Sequence, residues 1–168
     1  TMTISPASGA SIFKWNGVPM QANQQITYIL NDVMPPVLTF DPIDGETGIS
    51  PDTDIMLQYN EAIRYKDDSA ISNENVDGLI TLRYNDDQDP IAFDATISGD
   101  NRTITVSPDS EMVELREVYV AIIGDTLEDF NDNVITSGAS AVFTIADITP
   151  PTVTGYSLSE NNAYAYFA

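Results

Sequence analysis

Residues 26–39 read ITYILNDVMPPVLT, and residues 141–154 read AVFTIADITPPTVT. The two stretches align at an offset of 115 residues, so that Asp32 falls on Asp147 and one Pro-Pro pair falls on the other. An apolar run that favours a β-strand precedes each Asp, and another follows each Pro-Pro pair. Because proline lacks an N–H donor and restricts the residue before it, each copy predicts a strand, a stiff joint and a second strand. A phrase repeated at domain spacing indicates modules in tandem.

The segment between the two joints reads as short strands separated by turn residues. Apolar and polar residues alternate in DIMLQYN, whereas VYVAIIG is almost continuously apolar, as in a strand covered on both faces. The predicted strands are VLTF (37–40), DIMLQYN (54–60), GLITLRY (78–84), PIAFDATI (90–97), RTITVS (102–107), VYVAIIG (118–124) and AVFTIAD (141–147). This spacing predicts an all-β fold, a seven-stranded Ig-like β-sandwich flanked by partial β-modules of a tandem array.

The two joints divide the chain into three predicted modules. Residues 1–34 read as the C-terminal part of a preceding β-module, 35–147 as the Ig-like β-sandwich, and 148–168 as the start of a following Ig-like domain. Strands in such fragments have edges that need partners, so we expect them to pair with an adjacent chain or with the rest of the array. The predicted core residues are Leu38, Ile55, Leu57, Ile80, Leu82, Phe93, Ile104, Val106, Val118, Val120, Ile122, Val142 and Phe143.

Composition limits the classes of function. The chain has 26 acidic and 6 basic residues and a net charge of −20, a field that repels nucleic acid phosphates and anionic lipid. It has neither cysteine nor histidine, which removes a disulfide framework, the usual general base and the usual transition-metal ligand. The sequence contains no apolar run long enough to span a membrane.

Residues 35–147 resemble the bacterial Ig-like domains first described in S-layer proteins. The stretch PPVLTFDPIDGETGISPDTDIMLQYNEAI (35–63) is similar to the opening of that family, and RTITVSP (102–108) followed by VYVAIIG (118–124) continues the likeness. LEDFNDNVI (127–135) is similar to the family's L-x-D-x-x-G-N-x-L, with Asp132 in place of the usual Gly. The resemblance implies a β-sandwich repeated in large secreted adhesins, S-layer proteins and other surface proteins, without catalytic activity.

Clusters of carboxylates make Ca²⁺ the predicted ligand, because this hard cation takes oxygen ligands. DFNDN (129–133) matches the D-x-N-D-N with which cadherins hold Ca²⁺ between domains, and a second cluster follows the first joint. The candidate metal ligands are Asp125, Glu128, Asp129, Asn131, Asp132, Asn133, Asp41, Asp44 and Glu46. The alternative is a solvated turn in which Asp and Asn side chains cap their own backbone.

These observations favour a structural or adhesive segment of a long extracellular tandem-repeat protein at the cell surface: an adhesin, stalk, S-layer or filament component that Ca²⁺ could rigidify. We expect no enzymatic activity, no catalytic residue, no nucleic acid partner and no membrane insertion. The expected partners are neighbouring domains of the same chain, adjacent copies, or a cell-surface or carbohydrate ligand.

An accessory or carbohydrate-binding module attached to a secreted enzyme is the alternative function. Trp15 and the tyrosines Tyr156, Tyr164 and Tyr166 could stack on sugars, although aromatic residues at strand alternation usually belong to a core. Asn101 begins the only N-x-S/T sequon, which matters only in a cell that glycosylates secreted proteins.

Overall fold

The computed structural model describes residues 2–4, 26–28, 30–152, 155–159 and 162–165. The chain divides into two compact units, Thr1–Met34 and Pro35–Ala168. In the first unit, β1 (Met2–Ile4) pairs antiparallel with β2 (Ile26–Tyr28). The division of the chain into three modules stays a prediction.

The second unit is all-β up to residue 147, with a single short 3₁₀ helix at Val76–Leu79 among its described residues. Its strands are β3 (Leu38–Asp41), β4 (Thr47–Ile49), β5 (Ile55–Tyr59), β6 (Arg64–Tyr65), β7 (Ile80–Tyr84), β8 (Phe93–Ile97), β9 (Thr103–Pro108), β10 (Glu117–Ile122), β11 (Leu127–Glu128) and β12 (Ala139–Ile145). The predicted fold class is confirmed, but this region has ten strands rather than seven. The three additional strands, β4, β6 and β11, are two or three residues long, too short to show an alternating pattern.

Two four-stranded sheets form the sandwich. One has the order β3-β5-β9-β8 and is antiparallel throughout; the other has the order β4-β12-β10-β7, with β4 parallel to β12. The chain passes from the first sheet to the second between β3 and β4. Gly45 in this connection and Gly48 within β4 have φ angles of +80° and +78°, a left-handed conformation that glycine adopts without steric cost.

The chain enters and leaves the sandwich at opposite poles. Leu38 at the start of β3 pairs with Tyr59, and the loops 60–63, 98–102 and 123–138 lie at this end, where Ile63 N donates to Asn101 O at 2.9 Å. We call it the N-terminal pole. β12 ends at Ile145 beside the loops 50–54, 85–92 and 109–116, and Leu115 N donates to Ile145 O at 3.1 Å. These loops and 146–152 form the C-terminal pole.

The core lies between the two sheets and follows the predicted periodicity. The largest fully buried side chain is Phe143 on β12, packed with residues such as Ile55, Leu57 and Val120 of both sheets. Of the predicted core residues, Leu38, Phe93 and Val142 are only half-buried. Val142 differs because successive residues of a strand point to opposite faces, so it cannot share the inward face with Phe143.

The terminal strands pair locally in the structure. β13 (Tyr156–Ser159) pairs antiparallel with β14 (Asn162–Ala165), as β1 does with β2. Each of these strands therefore has one partner within its own segment. Pairing of their outer edges with an adjacent chain or with the rest of the array stays a prediction. No helix in the part of the chain that the structure describes is long and apolar enough to cross a membrane.

Candidate functional site

The loop that follows β11 at the N-terminal pole is organised around one buried carboxylate. Asp129 is only 1% exposed. Its Oδ1 accepts hydrogen bonds from Asn131 N at 2.7 Å and Asn133 N at 2.9 Å, and its Oδ2 accepts one from Asn133 Nδ2 at 2.7 Å. Both carboxylate oxygens therefore stabilise the turn itself, which is the arrangement in which Asp and Asn cap their own backbone.

These hydrogen bonds also decide the charge state of Asp129. Burial alone would raise the pKa of this carboxyl group, because desolvation disfavours the charged form. The hydrogen bonds from Asn133 and Asn131, with a smaller contribution from the charge of Arg64, outweigh burial and hold the pKa below its usual range. Asp129 is therefore a carboxylate at neutral pH.

Asp132, which stands where the L-x-D-x-x-G-N-x-L pattern has glycine, lies in a turn with a left-handed backbone conformation. Its φ angle is +68°, the left-handed conformation that glycine would supply and that Asp tolerates better than most residues. The substitution adds a carboxylate, and Asp132 Oδ1 lies 2.5 Å from Arg64 Nη2. The departure from the family pattern thus adds an ion pair to the loop.

Arg64 on β6 lies at the centre of three carboxylates. Its Nη2 is 2.7 Å from Asp68 Oδ1, 3.0 Å from Glu128 Oε1 and 2.5 Å from Asp132 Oδ1, and its Nε donates to Glu128 Oε1 at 3.1 Å. The guanidinium group also lies 5.4 Å from the centre of the Phe130 ring. The side chains of Arg64 and Glu128 are 15% and 5% exposed, so this is a largely desolvated pair with two exposed carboxylates at its rim.

The same three carboxylates could hold a metal ion. One oxygen each of Asp68, Glu128 and Asp132 lie within 4.8 Å of one another, a spacing that suits a cation with oxygen ligands. The guanidinium of Arg64 lies among these oxygens. A Ca²⁺ ion at this place would therefore compete with Arg64 for the same ligand atoms.

The structure brings the predicted ligands of 125–133 together at the N-terminal pole, but not with the second predicted cluster. Asp125 Oδ1 accepts from Lys66 Nζ at 2.7 Å, beside the Arg64 cluster. Asp44 Oδ1 accepts from Val142 N at 2.9 Å and Glu46 Oε2 accepts from Ile43 N at 3.0 Å, so these carboxylates stabilise the turn between β3 and β4 along the side of the sandwich. Asp41 is the last residue of β3.

Sequence reasoning missed Arg64 and Asp68, which complete the cluster. The available signal was the scarcity of basic residues: Arg64 and Lys66 are two of only six in the chain, and both stand in one short stretch. Arg116 is likewise surrounded by carboxylates at the C-terminal pole. Its Nη2 donates a hydrogen bond to Asp86 and lies 2.6 Å from Asp87 Oδ1. Arg64 and Arg116 therefore each lie where carboxylates converge.

The sequence of the sandwich matches a known protein family. The family described as "Bacterial Ig-like domain" matches residues 31–145, more than half of the chain. No curated protein matches the sequence at a significant level.

Several solved structures are similar to this chain at low sequence identity. The S-layer protein rSbsC(31-844) is 13% identical, with a TM-score of 0.43, over 68% of this chain and 15% of its own. The N-terminal part of the bacterial S-layer protein SbsC is 13% identical, with a TM-score of 0.46, over 74% of this chain and 26% of its own. CopC from Methylosinus trichosporium OB3b is 11% identical, with a TM-score of 0.45, over 68% of this chain and 97% of its own. This chain therefore spans only a small part of the S-layer proteins that it matches.

Proposed function

This chain belongs to the bacterial Ig-like domain family, and from that premise we propose that it is a structural segment of a long tandem-repeat protein at the cell surface. One observation carries the proposal most directly. The repeated Pro-Pro stretch occurs first at residues 26–39, before the sandwich at one pole. It occurs again at 141–154, where the chain leaves the opposite pole. Modules connected in this way form an extended string, and a stiff Pro-Pro joint limits bending between them.

The strand arrangement suits a module that is pulled from its two ends. β4 and β12 are parallel. The backbone hydrogen bonds between these segments run from Gly45 N to Val142 O at 2.7 Å, from Thr144 N to Glu46 O at 2.8 Å and from Ala146 N to Ile49 O at 2.8 Å. Tension on the two chain ends draws these strands along each other. The hydrogen bonds between them then share the force, whereas an unzipping geometry would break them one at a time. We propose that resistance to tension is the mechanical role of this pairing.

Binding of Ca²⁺ to the carboxylates of this segment, which would make the segment more rigid, stays a prediction within this proposal. The convergence of Asp68, Glu128 and Asp132 supports it, and the position of Arg64 among them opposes it. A ligand that binds only the folded state raises the melting temperature, so Ca²⁺ binding predicts a rise that persists in concentrated NaCl. Equal shifts from CaCl₂ and NaCl at matched ionic strength would leave only screening of the surface charge.

Labelling of intact cells tests the proposed location. An antibody against the folded chain should stain intact cells that make the parent protein, and external protease should remove the epitope. A cytoplasmic protein of known location serves as the control for lysis. Recovery of the epitope only after lysis would contradict the proposal.

The alternative carbohydrate-binding function is tested by the same purified chain. Phe130 is the only exposed aromatic side chain between residues 30 and 152, so this region offers little platform for stacking on sugar rings. Trp15 and Tyr166 lie outside the described residues, and only the backbone of Tyr156 and Tyr164 is described. Retention of the chain on insoluble polysaccharides would favour the alternative.

A further inference from the structure

Two of the lateral edges of the sandwich, β8 and β7, are largely closed to further strands. On β8, Ala95 N donates to Asp77 Oδ1 and Ile97 N donates to Asn73 Oδ1, both at 2.9 Å. These are backbone donors that an incoming strand would need. On β7, Tyr84 N donates to Asp89 O at 2.9 Å, so the returning segment covers that edge. Assembly by addition of a strand is therefore disfavoured at these two edges.

Large apolar side chains are exposed at the poles instead. Seven of them are largely exposed between residues 35 and 152, and all but Ile43 lie at one pole or the other. Val113, Leu115 and Ile148 lie at the C-terminal pole, and Val37, Ile123 and Phe130 at the N-terminal pole. Exposed apolar residues that gather in this way mark interaction surfaces more often than residues scattered singly.

Leu115 is the least expected member of this set. It is 68% exposed, and its φ angle is +63°, a left-handed conformation that is strained for a bulky residue. Neither exposure nor backbone conformation favours leucine here, so folding alone gives no reason for this residue. Strained residues persist where the surrounding structure fixes them, and they are enriched at functional sites. Leu115 N is held by Ile145 O, and the neighbouring Glu114 accepts from Thr149 Oγ1 at 2.7 Å.

We propose that the C-terminal pole docks the N-terminal pole of another module of the same kind, with Val113, Leu115 and Ile148 packing against Val37, Ile123 and Phe130. The inference rests on the proposed tandem arrangement, in which the repeated Pro-Pro stretch brings unlike poles together. Ile148 belongs to the repeated stretch, because it aligns with Val33 of the first copy. A contact between unlike surfaces is heterologous, so it builds open strings rather than closed dimers.

Sedimentation of the full chain tests this docking, with a second copy as the partner. Experiments at near-millimolar protein and roughly 1 M NaCl reduce the Debye length to about 3 Å and so screen the repulsion between acidic copies. Wild type should show concentration-dependent assembly. Leu115→Asn and Phe130→Ser should each weaken the association constant about tenfold or more, because each removes a buried apolar side chain from the contact. Thr81→Asn, at an exposed position on the outer face of β7, is the matched control.

Two features separate loss of docking from loss of folding. Asn tolerates a left-handed φ better than Leu, so Leu115→Asn should keep or raise the melting temperature. Val37→Ser tests the N-terminal pole without touching the ring that Phe130 presents to Arg64. A mixture of Leu115→Asn and Phe130→Ser should form dimers but no longer species, because each copy retains one intact and complementary pole.

Three results would overturn the docking. They are a wild type that stays monomeric throughout, a Leu115→Asn variant that assembles like wild type, and a mixture that fails to form dimers. None of these results bears on the location of the parent protein, which intact-cell labelling tests separately.

Discussion

Replacing Arg64 with Met should destabilise the sandwich, because it leaves the buried carboxylate of Glu128 without its cationic partner. Met keeps the apolar stem but removes the charge that neutralises Glu128, whose side chain is 5% exposed. Removing one partner of a buried ion pair costs about 3–5 kcal/mol, because the other charge remains desolvated. Asp68 and Asp132 are 72% and 80% exposed, so their pairs add at most about 1 kcal/mol each. We expect a loss of about 3 kcal/mol in the free energy of unfolding.

The assay is equilibrium urea unfolding of the full chain, followed by far-ultraviolet circular dichroism. For a domain of this size the expected loss corresponds to a fall of about 10 °C in melting temperature. Arg64→Met combined with Glu128→Gln should recover most of the loss, because the double change leaves no buried charge. A single variant within about 1 kcal/mol of wild type would refute the reasoning. So would a double variant no more stable than the single one.

Three further predictions concern pH, metal and the sheet edge. Because the folded-state pKa of Asp129 lies below the unfolded value of about 3.9, its contribution is complete above that pH and is lost as the pH falls through the folded pKa. Asp129→Ala should therefore cost about 1–3 kcal/mol at pH 7 and progressively less as the pH falls through the folded pKa, as measured by urea unfolding over a series of pH values. In Arg64→Met the three carboxylates are free to bind Ca²⁺, so CaCl₂ should restore part of the melting temperature, and it should not do so after the further change Glu128→Gln. Asp77→Ala uncovers Ala95 N on β8 and should cost about 1 kcal/mol and increase aggregation on heating, as followed by light scattering.

Strand periodicity was enough to predict the sandwich and most of its core. Alternation placed Ile55, Leu57, Ile104 and Val106 on inward faces, and the structure buries all four. Alternation could not predict the strand β6, because a strand of two residues is too short to show an alternating pattern of apolar and polar residues. That strand brings Arg64 to Glu128, a residue 64 positions away.

The candidate site was predictable in residue type but not in its bonding. The DFNDN stretch predicted a cluster of carboxylate and amide oxygens, and their role as metal ligands stays a prediction. The sequence could not show that both carboxylate oxygens of Asp129 would accept hydrogen bonds from Asn131 and Asn133. The partner that neutralises Glu128 comes from another strand, and only tertiary pairing reveals it. The local motif therefore predicted the carboxylates of this loop, whereas the tertiary fold determines which cationic side chain lies beside them.

Single-molecule pulling of the full chain from its two ends tests the proposed mechanical role most directly. The sandwich should rupture in one cooperative event and release roughly 110 residues, a gain of about 370 Å in contour length at about 3.4 Å per residue. Thr144→Pro removes the N–H donor between β12 and β4 and should lower the rupture force, whereas Thr81→Asn should not. Gradual extension at low force, or equal rupture forces for Thr144→Pro and wild type, would contradict the account.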